Sequence, residues 1–115
     1  MEDLTKILQK VLNEAHASHT YIRDKEQYGV REHWVVDLEG DCEDFALWIK
    51  QKLETEYEIE TDLIFCRTEK GGGHLVASVD GWILDNRFSL ITPQQFLKYE
   101  WVKLGRKGVW YELQN

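Results

Sequence analysis

Between residues 2 and about 20 the apolar side chains Leu4, Ile7, Leu8, Val11, Leu12 and Ala15 recur every three or four positions, with Glu2, Lys6, Lys10 and Glu14 between them. That period predicts an amphipathic helix with one buried stripe. Residues 21–41 lack a regular period and carry Tyr21, Tyr28, Gly29 and Trp34, which reads as an ordered connection pinned by aromatic anchors. The helical period resumes with Cys42, Phe45, Ala46, Ile49 and Leu53, while Lys50 and Lys52 fall in the later turns, so a second helix is predicted over 42–56. Beyond it the pattern changes to that of strands. Residues 59–67 hold Ile59, Leu63, Ile64 and Phe65 and run into Gly71, Gly72 and Gly73, a strand and its turn. Segments 74–79 and 82–85 flank Asp80-Gly81, a dipeptide favoured where both central residues of a two-residue hairpin turn need positive φ, so the two strands are expected to be antiparallel. Pro93 opens a short predicted helix through about Tyr99, and residues 108–113 read as a closing strand. Helices first and strands afterwards give an α+β class, and without repeats, linkers or low-complexity tracts the expectation is a single domain over 1–115.

Composition narrows the partners. The 115 residues are 43% hydrophobic and 30% charged, which places the chain among globular proteins rather than disordered ones. With 14 Lys+Arg against 21 Asp+Glu the net charge is -7, which repels phosphate backbones and anionic lipid, so neither nucleic acid nor a membrane is expected as a partner. Lys103, Arg106 and Lys107 read as a solvated loop cluster. The two cysteines, Cys42 and Cys66, form no CxxC pair and no disulfide framework, and the chain has no ligand pair at structural-zinc spacing. Met1 is followed by Glu2 and Asp3, with no export signal and no run of transmembrane length, so the expected location is cytoplasmic. Cys66 reads as core, His16, His19 and His33 as surface, and Trp34, Trp82, Trp101 and Trp110 mostly as core, with Trp34 nearest the cleft.

Cys42 opens its helix within Gly40-Asp41-Cys42-Glu43-Asp44-Phe45-Ala46. The first N–H groups of a helix lack intrahelical partners and carry the positive end of the macrodipole, so a thiol there ionises more readily. Counting back from Asp80-Gly81 pairs Val79 with Trp82, Ala77 with Leu84 and, by extension, Val76 with Asp85 and His74 with Arg87. Leu75, Ala77, Val79, Trp82 and Leu84 then share one face, and His74, Val76, Ser78, Ile83 and Asp85 the other. His74 and Asp85 become diagonal neighbours, close enough for a carboxylate to fix the imidazole tautomer and leave the other ring nitrogen for a thiol. Docking of the Cys42 helix on the His74 face is expected to complete a nucleophile, a base and an orienter. The oxyanion is expected to meet the Cys42 N–H and one donor from residues 27–36.

These three blocks, Gly40 to Ala46, Gly72-Gly73-His74-Leu75-Val76 and Leu84-Asp85-Asn86-Arg87, resemble the bacterial transglutaminase-like cysteine peptidases in order and approximate spacing, over about Trp34 to Arg87. The resemblance implies a papain-like, transglutaminase-like fold with a Cys-His-Asp triad on Cys42, His74 and Asp85. It further implies cleavage of a protein or peptide substrate through an acyl-enzyme. Trp34, which precedes the nucleophile loop, and Gly72 and Gly73, whose backbone lets a substrate approach closely, are expected along the substrate cleft. LapG-type members bind calcium through carboxylates beside the cysteine, which would fall on Asp41, Glu43 and Asp44. Those carboxylates also complement the helix dipole without any ion, and they oppose a thiolate unless a cation neutralises them. This chain is shorter than the LapG-type proteases and has no export signal, so their periplasmic adhesin substrate does not carry over. A compact leaderless form suits a phage-encoded or other intracellular protein. The same triad supports transglutaminase or glutamine deamidase chemistry, and the rival from another class is a binding module that keeps the fold without catalysis.

Overall fold

The computed structural model describes residues 3–18 and 42–113. Helix α1 spans Leu4–Ser18 and buries Leu8, Val11, Leu12 and Ala15, the stripe that the periodicity predicts. Helix α2 spans Cys42–Glu56 and buries Phe45, Ala46, Ile49 and Leu53 along one side. The predicted connection 21–41, with Tyr21, Tyr28, Gly29, Trp34 and Asp41, lies outside the described residues, as do His19 and His33. Among the described residues no helix is long and apolar enough to cross a membrane.

Six strands follow: β1 (Asp62–Arg67), β2 (Gly73–Val79), β3 (Trp82–Leu84), β4 (Thr92–Pro93), β5 (Glu100–Arg106) and β6 (Val109–Glu112). They form one antiparallel sheet in the order β4-β3-β2-β1-β5-β6. Two helices against this sheet make an α+β architecture consistent with a transglutaminase-like fold. Strand β1 begins at Asp62, later than the predicted Ile59, because the preceding residues tie off α2. Glu58 turns the chain at φ 57, Ile59 N–H reaches back to the Leu53 carbonyl at 3.0 Å, and Glu54 accepts from Thr61 N–H at 3.1 Å.

The two sheet faces divide as the alternation predicts. Ala77, Val79 and Leu84 pack with Leu8, Val11, Leu12, Phe45, Ile49 and Leu53, so both helices cover that face. Ile64, Val76 and Ile83 belong to the second face and pack with Leu97, Trp101, Leu104 and Leu113 from the C-terminal part of the chain. Helix α2 therefore docks on the face opposite to Val76 and Ile83, not on theirs as expected. The physical reason is that residues 97–113 already supply the apolar cover for the second face, leaving the first to the helices.

The C-terminal third differs most from expectation. Pro93 does not start a helix running to Tyr99. Lacking an N–H, it closes the edge strand β4 opposite Trp82, where no further ladder bond is asked of it, and only a 3-10 turn, Gln94–Phe96, follows. Residues 100–106 are a strand, so Lys103 and Arg106 stand on β5, with Lys107 in the β5–β6 turn at φ 53. Each has an acidic partner: Glu112 at 3.9 Å, Asp62 at 2.8 Å and Glu60 at 3.9 Å. Trp110 is half exposed on the edge strand β6 rather than core, its ring lying over Gly105. Trp82 and Trp101 are partly buried, and Cys66 is fully buried as predicted.

One irregularity in β5 orients the site. Leu104 pairs with Ile64 and Lys103 with Phe65, but Cys66 pairs with Trp101, so Val102 is an extra residue in the ladder. Its carbonyl is taken up by Leu113 N–H at 2.9 Å. The bulge reverses the side-chain phase, which brings Trp101 onto the same face as Leu104 although they are three residues apart.

Helix α1 also holds the loop after β3. The Gln9 side chain donates to the Ser89 carbonyl at 2.8 Å and accepts from Ile91 N–H at 3.0 Å. His16, expected on the surface, instead donates Nε2–H to the Phe88 carbonyl at 2.8 Å and lies against the Phe45 ring. Gln9→Ala should lower stability by about 1–2 kcal/mol, since it removes both bonds that Gln9 makes to this loop. Urea denaturation checks this; an unchanged midpoint would mean that the clamp adds nothing.

Candidate active site

Cys42 is the first residue of α2 and is 1% exposed. His74 lies at the start of β2 and Asp85 directly after β3, exposed by 1% and 2%. The hairpin register is the predicted one, Val79 opposite Trp82 and Ala77 opposite Leu84. That register delivers the diagonal contact: His74 Nε2 lies 2.7 Å from Asp85 Oδ1.

The electrostatics assign the proton on this bond. Burial alone would favour neutral Asp85, but hydrogen bonds from His74, Tyr99 and the Arg87 backbone, with the charge of His74, hold the carboxyl below its ordinary range. An ionised carboxylate only accepts, so Nε2 is the donor. For His74, burial again opposes charge, but the bond to Asp85, the nearby Cys42 sulfur and the negative charge of both lift its pKa to about 9. With Nε2 committed to Asp85, Nδ1 is the nitrogen left for the thiol. Nδ1 is buried and makes no hydrogen bond of standard geometry among the described residues. Cys42 thus acts on His74 although α2 docks on the opposite sheet face from the one expected.

Two residues that the sequence reading did not single out complete the surroundings of Asp85. The Tyr99 hydroxyl donates to Oδ2 at 2.6 Å, and Arg87 N–H donates to Oδ1 at 2.9 Å. The Tyr99 ring also meets His74 edge-on, with centroids 5.6 Å apart, and touches Trp101. Arg87 was visible in the sequence as the register partner of His74 and as the end of the block around Asp85, with no role given to it. Tyr99 gave no spacing signal, because it reaches the site through β5 and the bulge at Val102.

The remaining predicted positions are less convergent. Of the three glycines, only Gly71 has positive φ, at 89°. The Gly72 carbonyl accepts from Thr68 N–H at 3.0 Å, and Gly73 is buried in the ladder opposite Arg67, so both are engaged in closing the β1–β2 turn. Trp34 and the expected oxyanion donors of 27–36 lie outside the described residues. Asp41 does too. Glu43 is buried whereas Asp44 is exposed, and among the described residues no group of three or more His, Cys, Asp or Glu gathers as a metal site.

A family model described as bacterial transglutaminase-like cysteine proteinase, BTLCP, matches residues 1–115. Comparison with curated proteins and with solved structures gives no match. With a helix-start cysteine acting on a buried histidine that a carboxylate holds, and with the match running the full length of the sequence, the chain belongs to the bacterial transglutaminase-like cysteine proteinases.

Proposed function

We propose that this proteinase cuts peptide bonds through an acyl-enzyme on Cys42, with His74 as base and then acid and Asp85 as orienter. The observation that carries this reading is the asymmetry of the His74 ring. Nε2 is bound to Asp85 at 2.7 Å, while Nδ1 is buried and left for Cys42.

The Sγ of Cys42 attacks the scissile carbonyl carbon as its proton passes to, or already rests on, Nδ1. The tetrahedral intermediate collapses, the C–N bond breaks, and Nδ1 returns the proton to the leaving amine. Water then adds to the thioester, giving its proton to Nδ1; the C–S bond breaks and the carboxylic product leaves. Asp85 holds the ring in the tautomer that keeps Nδ1 available and stabilises the imidazolium throughout. The N–H of Cys42, which at the start of α2 has no intrahelical partner, donates to the developing oxyanion.

Casein hydrolysis followed by product mass spectrometry tests the reading. Iodoacetamide alkylation of Cys66→Ala protein, which leaves Cys42 as its one thiol, should abolish the activity. Retained activity after Cys42 is alkylated would sink the proposal. So would ammonia release from glutamine without new amino termini, the signature of a deamidase.

A further inference from the structure

We propose that Tyr99 is a positioning residue for this reaction, locking the Asp85 carboxylate through its hydroxyl and locked in turn by Arg87, so that the surface pair Glu69–Arg87 sets the aim of the His74 ring. The inference rests on the triad reading above.

The direction of every bond in this chain of contacts is fixed by chemistry. A guanidinium only donates, so Arg87 Nη1, 3.1 Å from the Tyr99 hydroxyl, makes that oxygen an acceptor. The single phenolic hydrogen must then go to Asp85 Oδ2, 2.6 Å away. Oδ1 is shared by His74 Nε2 and Arg87 N–H, so both carboxylate oxygens are held and the plane of the group cannot rotate. Among the described residues Tyr99 is the sole hydrogen-bond partner of Oδ2. At the outer end, Arg87 meets Glu69 through two bonds, Nη2 to Oε2 at 2.7 Å and Nη1 to Oε1 at 3.3 Å. Exposed ion pairs contribute little to stability. This one is bidentate and orients the guanidinium plane toward the phenol, which gives it a geometric role instead.

Tyr99→Phe keeps the ring that packs against His74 and Trp101 and removes only the hydroxyl. Its kcat should fall about tenfold with KM within twofold of wild type, the size expected when a partner of an active group is lost. Glu69→Gln, at the exposed end, should fold as wild type and lower kcat about threefold, less than Tyr99→Phe because the effect passes through Arg87. The discriminating readout is the downfield 1H NMR signal of His74 Nε2–H, recorded also in Cys42→Ala protein so that no turnover is needed. It should shift in both variants, and more in Tyr99→Phe. An unshifted signal in Tyr99→Phe overturns the proposal, as does a fall in stability with kcat and the signal both intact. If wild type shows no proteolysis while the signal moves as expected, the triad reading fails and the locking of Asp85 by Tyr99 stands.

Discussion

Asp85→Asn is expected to lower kcat by about 10³ to 10⁴-fold, with the fold intact. The amide carbonyl can keep accepting from His74 and from Arg87 N–H, because it is nearly isosteric with the carboxylate that receives them at 2.7 and 2.9 Å. What it cannot supply is charge, nor an acceptor for the Tyr99 hydroxyl, which meets an NH2 in place of Oδ2. The positive ring that forms when His74 takes a proton is then left in a site where His74 is 1% exposed and water cannot substitute. Initial rates on casein over a range of concentrations separate kcat from KM. A loss under tenfold would mean that Asp85 packs against the histidine without helping it. His74→Gln should be at least as damaging, because it removes the group that moves a proton at Cys42 along the proposed path.

The second large effect is on stability. The folded pKa of His74, about 9, lies above its ordinary 6.5. A group raised on folding stabilises fully below the unfolded value, and the contribution is lost as pH rises from about 6.5 through about 9. The same interaction appears as the lowered pKa of Asp85, so on the acid side it is lost as pH falls below the ordinary carboxylate range. Between these limits the charged ring with its partners Asp85 and Cys42 contributes on the order of 3 kcal/mol, from the rise of 6.5 to about 9 at about 1.36 kcal/mol per unit. The difference in urea stability between wild type and His74→Gln should therefore be greatest near pH 5–6 and shrink steadily toward pH 9. A difference that stays flat over that range would show that the buried ring is not charged by its partners.

The hairpin was legible because its determinants are local. Asp80-Gly81 fixes the turn, with Asp80 at φ 53 and Gly81 at φ 85, and the two-residue period then dictates that Asp85 meets His74. Helices α1 and α2 were legible for the same reason, each carrying its own stripe. The docking face of α2 was not, because it depends on which other segment covers the second side of the sheet, and that segment is residues 97–113. Tyr99 was hidden more deeply. Its contact with Asp85 spans fourteen residues in sequence and requires a strand, β5, that Pro93 and the basic residues 103–107 disguised as a helix and a loop.

The extra residue at Val102 has a consequence for how this protein can change. Along a strand, one residue is the difference between facing inward and facing outward. Tyr99 and Trp101 precede Val102 and Leu104 follows it, so the bulge is what lets a phenol at the active site and a leucine of the apolar layer share a side of the sheet. Substituting the valine would leave that count intact. Deleting it would turn either Tyr99 away from Asp85 or Leu104 out of the core, so sequence length, more than side-chain identity, is what this stretch of chain must preserve.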